Sequence, residues 1–150
     1  MGQPANINPR IIEALYVEGL MLSDEVRDRF DISKRAPGDS EDITRVAISC
    51  EALRTTTRMM HAVAWLLNQR AYLRGEVSEF QIRRHGRIAD NLPLHEPARL
   101  ALLDAEMRDL VLATERFYAR LVRLDGRWRA AEPEGMAISR LRERLARAVG

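Results

Sequence analysis

The side chains best suited to bind or react are three histidines, one cysteine and a mixed run of cations and aromatics. His61, His85 and His95 lie on separate segments, and no HxxxH or ExxH spacing puts two ligands on one helical face. Cys50 and His61 stand about three helical turns apart, too far to share a metal. A single cysteine excludes an internal disulfide and a thiolate-rich zinc site. Cys50 is expected to pack as a small apolar group. There is no GxSxG, no P-loop, no glycine fingerprint after a strand and no CxxC. The carboxylates fall at solvent-facing helical positions, without the close pair that acid–base catalysis uses. The expectation is a protein with no catalytic residues, no metal and no cofactor.

Arg54, Arg58, His61, Trp65, Asn68 and Tyr72 recur at steps of three and four, which gathers them on one side of a helix. Cations, an amide and aromatics on a rigid rod are the residue types favoured at protein interfaces, so these six form a candidate partner-binding stripe. A second reading has the same stripe flanking the core, with Trp65 half-buried and the arginines paired to Glu106, Asp109 or Glu115.

The elements that must position these residues are helices. Asn8 and Pro9 are an N-cap and an N1 residue, and Ile12, Leu15, Gly19, Leu22, Val26 and Phe30 give a helix over about 9–30. A loop around Pro37-Gly38 follows. A second helix over 42–74 opens at Asp39 or Ser40 and stops at Gly75. Ser78 with Gln81 reads as a capping box for a short helix inside the 75–97 connector. A third helix spans 97–124, with Leu100, Leu103, Met107, Leu110, Thr114, Phe117, Leu121 and Leu124 as its seam. Ile138, Leu141, Leu145 and Ala148 mark a shorter amphipathic helix after Pro133. The fold expected is all-α: an elongated three-helix bundle over 1–126, then a basic amphipathic segment over 127–150.

On the second helix, Ile43, Val46, Cys50, Leu53, Thr57, Met60, Ala64, Leu67 and Ala71 alternate strictly by three and four, like a heptad core seam. Ala52, Thr56, Met59, Val63, Leu66 and Arg70 make a second stripe, apolar almost throughout. Glu51, Thr55, Ala62, Gln69 and Leu73 remain for the outermost strip. Two apolar stripes imply burial on two sides. Either another segment of the chain covers the second, or it forms a homodimer interface centred on Met59, Val63 and Leu66.

The chain has 150 residues, 46% hydrophobic and 31% charged, the balance of a soluble globule. Its formal net charge is +2, and all but Lys34 of its cations are arginines. Six arginines against three glutamates follow residue 126, which gives the end of the chain a basic character. No apolar run approaches a membrane span, and the first ten residues lack a secretory leader's apolar stretch. The expected compartment is the cytoplasm.

The stretch Cys50-Glu51-Ala52-Leu53-Arg54-Thr55-Thr56-Thr57-Arg58-Met59-Met60-His61, with Ala64-Trp65-Leu66-Leu67-Asn68-Gln69-Arg70-Ala71 and Gly75-Glu76-Val77, resembles the central helix of the regulator of CtrA degradation family of alphaproteobacteria. The resemblance extends over about 9–124. It implies a homodimeric three-helix bundle that acts as an adaptor for the ClpXP protease. Such an adaptor docks on an already primed protease, delivers cargo such as a cell-cycle response regulator and recruits further adaptors. Family members often carry a flexible C-terminal tail, whereas residues 127–150 here read as an amphipathic segment. Two other classes stay open: a basic nucleic-acid binder using Arg83, Arg84, His85 and Arg87 with the arginine-rich C-terminus, and a purely structural dimeric bundle.

Overall fold

A computed structural model describes residues 7–31, 42–131 and 134–150, with the backbone alone for 42 and 134–137. These residues form α1 (Pro9–Arg29), α2 (Asp42–Leu73), α3 (Glu79–His85), α4 (Pro97–Leu100), α5 (Ala105–Ala130) and α6 (Glu134–Val149), with no strand among them. The all-α expectation holds. The loop around Pro37-Gly38 and the caps expected at Asp39 or Ser40 lie outside the described residues.

Helix boundaries follow local chemistry. The Asn8 side chain accepts the Arg10 N–H at 2.9 Å, and Pro9 occupies the first turn, where its missing donor costs nothing. The turn after α2 reverses at Gly75, whose φ of 76° suits glycine. The Glu76 N–H bonds the Ala71 carbonyl at 2.9 Å and the Gly75 N–H bonds that of Tyr72 at 3.0 Å, a Schellman closure. Ser78 and Gln81 exchange both capping-box bonds at the start of α3.

The third helix differs from expectation. The chain breaks after α4, because the Asp104 side chain accepts the Met107 N–H at 2.8 Å and starts α5 afresh. At its other end α5 runs past Gly126 to Ala130. Buried Trp128 and the Asp125–Arg129 pair at 2.9 Å hold its last turn. The predicted seam is otherwise the one used: Leu103, Met107, Leu110, Thr114, Phe117 and Leu121 are buried.

Ion pairs between helices fix their directions. Glu13 meets Arg70 at 2.8 Å, Glu18 meets Arg120 at 2.9 Å and Arg29 meets Glu106, so α1 runs antiparallel to both α2 and α5. Arg58 bonds Thr114 and Trp65 bonds Asp125, so α2 and α5 run parallel. Parallel neighbours need a return path along the bundle, and residues 74–104 supply it. Gly19 lets α1 approach closely: a Cβ there would sit 3.3 Å from Phe117 and 3.4 Å from Leu66.

The faces of α2 are the main correction. The seam expected inside points outward: Ile43 is 68% exposed, Val46 59%, Leu53 70%, Met60 67% and Leu67 45%. Cys50 on the same seam is only half-buried. The strip expected outermost is the buried one, with Glu51, Thr55, Ala62 and Gln69 all but inaccessible. Met59 and Leu66, which the sequence offered either to a dimer interface or to cover by another segment, are buried within the chain, and Val63 is half-buried. Helix α1 covers that stripe, and Leu20 and Val26 share a groove with Met59 and Val63. Intramolecular cover is thus what the second apolar stripe receives. Of this polar inner face, Glu51 meets an irregular segment that crosses it, whereas Thr55 Oγ1 and Gln69 Nε2 are buried without a hydrogen-bond partner.

Candidate functional site

Between α3 and α4, residues 86–96 form a strap without regular structure that lies across α2 and α5. A backbone buried outside helix or sheet needs side chains to satisfy its polar groups. The Arg54 guanidinium donates to the Leu94 carbonyl at 2.7 Å, and Arg58 donates to that of Pro93 at 3.2 Å. Glu51 accepts the Glu96 N–H at 3.2 Å. From α5, Glu115 accepts the His95 N–H at 2.8 Å and meets the His95 ring Nδ1 at the same distance, while the Tyr118 hydroxyl donates to the Ala89 carbonyl. Ile88 is buried in the core beneath the strap, and Leu92 packs partly buried against it.

Arg58 is the centre of this clamp. It is 2% exposed, donates to Thr114 Oγ1 at 3.0 Å and stands 3.6 Å from Glu115. Burial lowers its pKa, opposed by the charges of Glu115 and Glu51. An arginine stays protonated even so, and the carboxylates balance it. Glu115 orients His95 much as a carboxylate orients a catalytic imidazole. Thr114, the hydroxyl of this cluster, accepts from Arg58 and donates to the Val111 carbonyl at 2.7 Å. The geometry is that of a clamp on backbone.

The six residues of the candidate stripe therefore divide. Arg54 and Arg58 turn to the strap, and Arg58 pairs with Glu115, one of the partners anticipated for it. Trp65 is buried and donates to Asp125 at 3.0 Å. Tyr72 is half-buried, edge-on to Trp128 with ring centroids 6.0 Å apart. His61 and Asn68 face solvent. His61, His85 and His95 stay on separate elements, and among the described residues no three His, Cys, Asp or Glu side chains are grouped to hold a metal ion. Sequence reasoning missed the strap, which read only as a connector.

Tyr118 gives the clamp a pH dependence. Burial first, then the nearby Asp90 charge, pushes its pKa from 10.0 up to about 12. A pKa raised in the folded state means the fold holds the phenolic proton more tightly than the unfolded chain. The resulting stabilisation is complete below pH 10 and is lost as pH rises toward 12. Tyr118→Phe is expected to flatten the stability profile between those values relative to wild type, as measured by urea unfolding at stepped pH. Parallel profiles would refute it.

The outward seam of α2 is the other notable surface. It continues onto α4, where Ile43, Val46, Ala98 and Leu102 line a shallow apolar groove. A family model described as "Protein of unknown function (DUF1465)" matches residues 4–149. The chain belongs to this family. That assignment spans the bundle, the strap and α6 together, and its description carries no activity. No curated protein and no solved structure matches the chain. No helix among the described residues is long and apolar enough to cross a membrane.

Proposed function

We propose that this member of the DUF1465 family is a non-catalytic, homodimeric adaptor in regulated proteolysis, linking a primed ClpXP protease to cargo such as a cell-cycle response regulator. The observation that carries the binding part is the outward seam of α2, an apolar stripe at heptad spacing exposed along a rigid helix. From Ile43 to Leu67 it covers about 36 Å of helix. Its large residues, Val46, Leu53, Met60 and Leu67, alternate with small ones, Cys50, Thr57 and Ala64. A second copy running antiparallel would set large against small along the whole seam, a self-complementary, two-fold contact. The protease assignment rests on the resemblance of residues 50–77 to the regulator of CtrA degradation family. Tethering suits such a surface, because an adaptor raises the local concentration of cargo without making or breaking bonds.

Leu53→Glu with Met60→Glu should convert a dimer into a monomer of unchanged helicity, read by sedimentation equilibrium and circular dichroism. Equal masses for wild type and variant would remove the seam from the dimer. For the adaptor itself, deleting the gene should lengthen the half-lives of a defined set of proteins, and His61→Ala with Asn68→Ala should weaken delivery without disturbing the fold. Unchanged half-lives across the proteome would refute the adaptor reading.

A further inference from the structure

The ion pairs that orient the bundle also show where its charge lies. The start of α1, the end of α2, α3 and the end of α5 share one end, since Glu13 meets Arg70 and Arg129 bonds the carbonyls of Ile82 and Arg83. Of the carboxylates at this end, Glu13, Glu79 and Asp125 are each matched to an arginine, and Glu76 in the turn after α2 stands exposed with no arginine in ion-pair range among the described residues. Arg10, Arg74, Arg84, Arg123 and Arg127 are exposed here, with no carboxylate in ion-pair range among the described residues. The same end presents Phe80, 70% exposed, with Arg84 over its ring.

Helix α6 begins four residues after the last of α5, and its described side chains, from Ile138 on, are all exposed. Ile138, Leu141, Leu145 and Val149 fall within roughly 80° of its circumference, and Arg140, Arg144 and Arg147 lie opposite. Arg142 borders the apolar stripe.

We infer that this basic end is a peripheral membrane-binding surface, on which α6 lies in the plane of an anionic bilayer with its apolar stripe among the acyl chains. The chemistry is complementary on both counts. Arginines around the end and along α6 meet anionic headgroups, while Phe80 and the α6 stripe enter the interface. Nucleic acid would use the arginines but leave Phe80 and the apolar stripe of α6 without a role. The inference is independent of the adaptor reading.

The test is flotation of the full-length protein with vesicles of phosphatidylglycerol and phosphatidylethanolamine, beside vesicles of phosphatidylcholine alone. Binding is expected to the anionic vesicles only, falling steeply as salt shortens the range of the attraction. Replacing Arg140, Arg142, Arg144 and Arg147 with Gln should weaken binding about tenfold or more. Leu141→Ser with Leu145→Ser, which leaves every charge in place, should do the same. Thermal unfolding of the bundle should not change in either variant, a check that the loss is not one of folding. No flotation with anionic vesicles at low salt would overturn the proposal, as would wild-type binding by the serine variant. Duplex DNA that binds through the same arginines and displaces the vesicles would overturn it too.

Discussion

Arg58→Met should destabilise the fold by about 3 kcal/mol or more, because it breaks a buried charge pair from one side. The methionine restores the bulk of the stem but not the donors. Glu115 would lose its guanidinium, the Pro93 carbonyl its donor and Thr114 Oγ1 one of its bonds. For a domain of this size that corresponds to a fall in Tm of roughly 6–12 °C. Arg58→Lys should rescue little of it, since a single ammonium cannot reach three acceptors in the geometry of a planar fork. Removing both charges, with Arg58→Met and Glu115→Leu, should recover little of the loss, because the His95 N–H and ring then lose their acceptor as well. Arg54→Met provides the contrast: its bond to the Leu94 carbonyl lies near the surface, so about 1 kcal/mol is expected. Urea unfolding measures all four. An Arg58→Met variant within about 0.5 kcal/mol of wild type, the range of ordinary surface changes, would refute the clamp.

That result would also probe why the fold was only partly legible in the sequence. Local punctuation was readable wherever one or two residues determine the geometry: Asn8 with Pro9, Gly75, and Ser78 with Gln81. The inward faces of α1 and α5 were readable because they pack against other apolar faces, so periodicity and burial coincide. On α2 they part company. Its inner face meets the strap, whose carbonyls and N–H groups call for Arg58, Arg54 and Glu51, and the polar choice hides the burial. The strongest apolar repeat on that helix lies instead on the surface, and hydrophobicity alone cannot tell an internal seam from one exposed in the single chain. The break before α5 was masked in a similar way. Leu100 and Leu103 continue the seam spacing across it, while one hydrogen bond from the Asp104 side chain restarts the helix. The candidate stripe lies along one side of α2 but divides between the interior and the surface. Its cations and Trp65 turn inward, and His61 and Asn68 alone face solvent.

Two neighbouring leucines separate these faces by experiment. Leu66 is fully buried where α1 and α5 converge, close enough to Gly19 that an added Cβ would touch it and Phe117. Leu66→Ala should cost about 2–5 kcal/mol, the lost transfer energy plus a cavity that Phe117 and Gly19 are too constrained to fill. Leu67 is one residue, or about 100°, further around α2 and 45% exposed. In the isolated chain, Leu67→Ala should cost no more than about 0.5 kcal/mol. If the outward seam pairs two copies, the Leu67→Ala cost should grow with protein concentration, since association stabilises by mass action. The Leu66→Ala cost arises within one chain and should be present even at the lowest concentration. Thermal unfolding of both variants at two concentrations a hundredfold apart reads the contrast directly. A large Leu67 effect at the lowest concentration, or a small Leu66 effect at any, would reverse the faces assigned to α2.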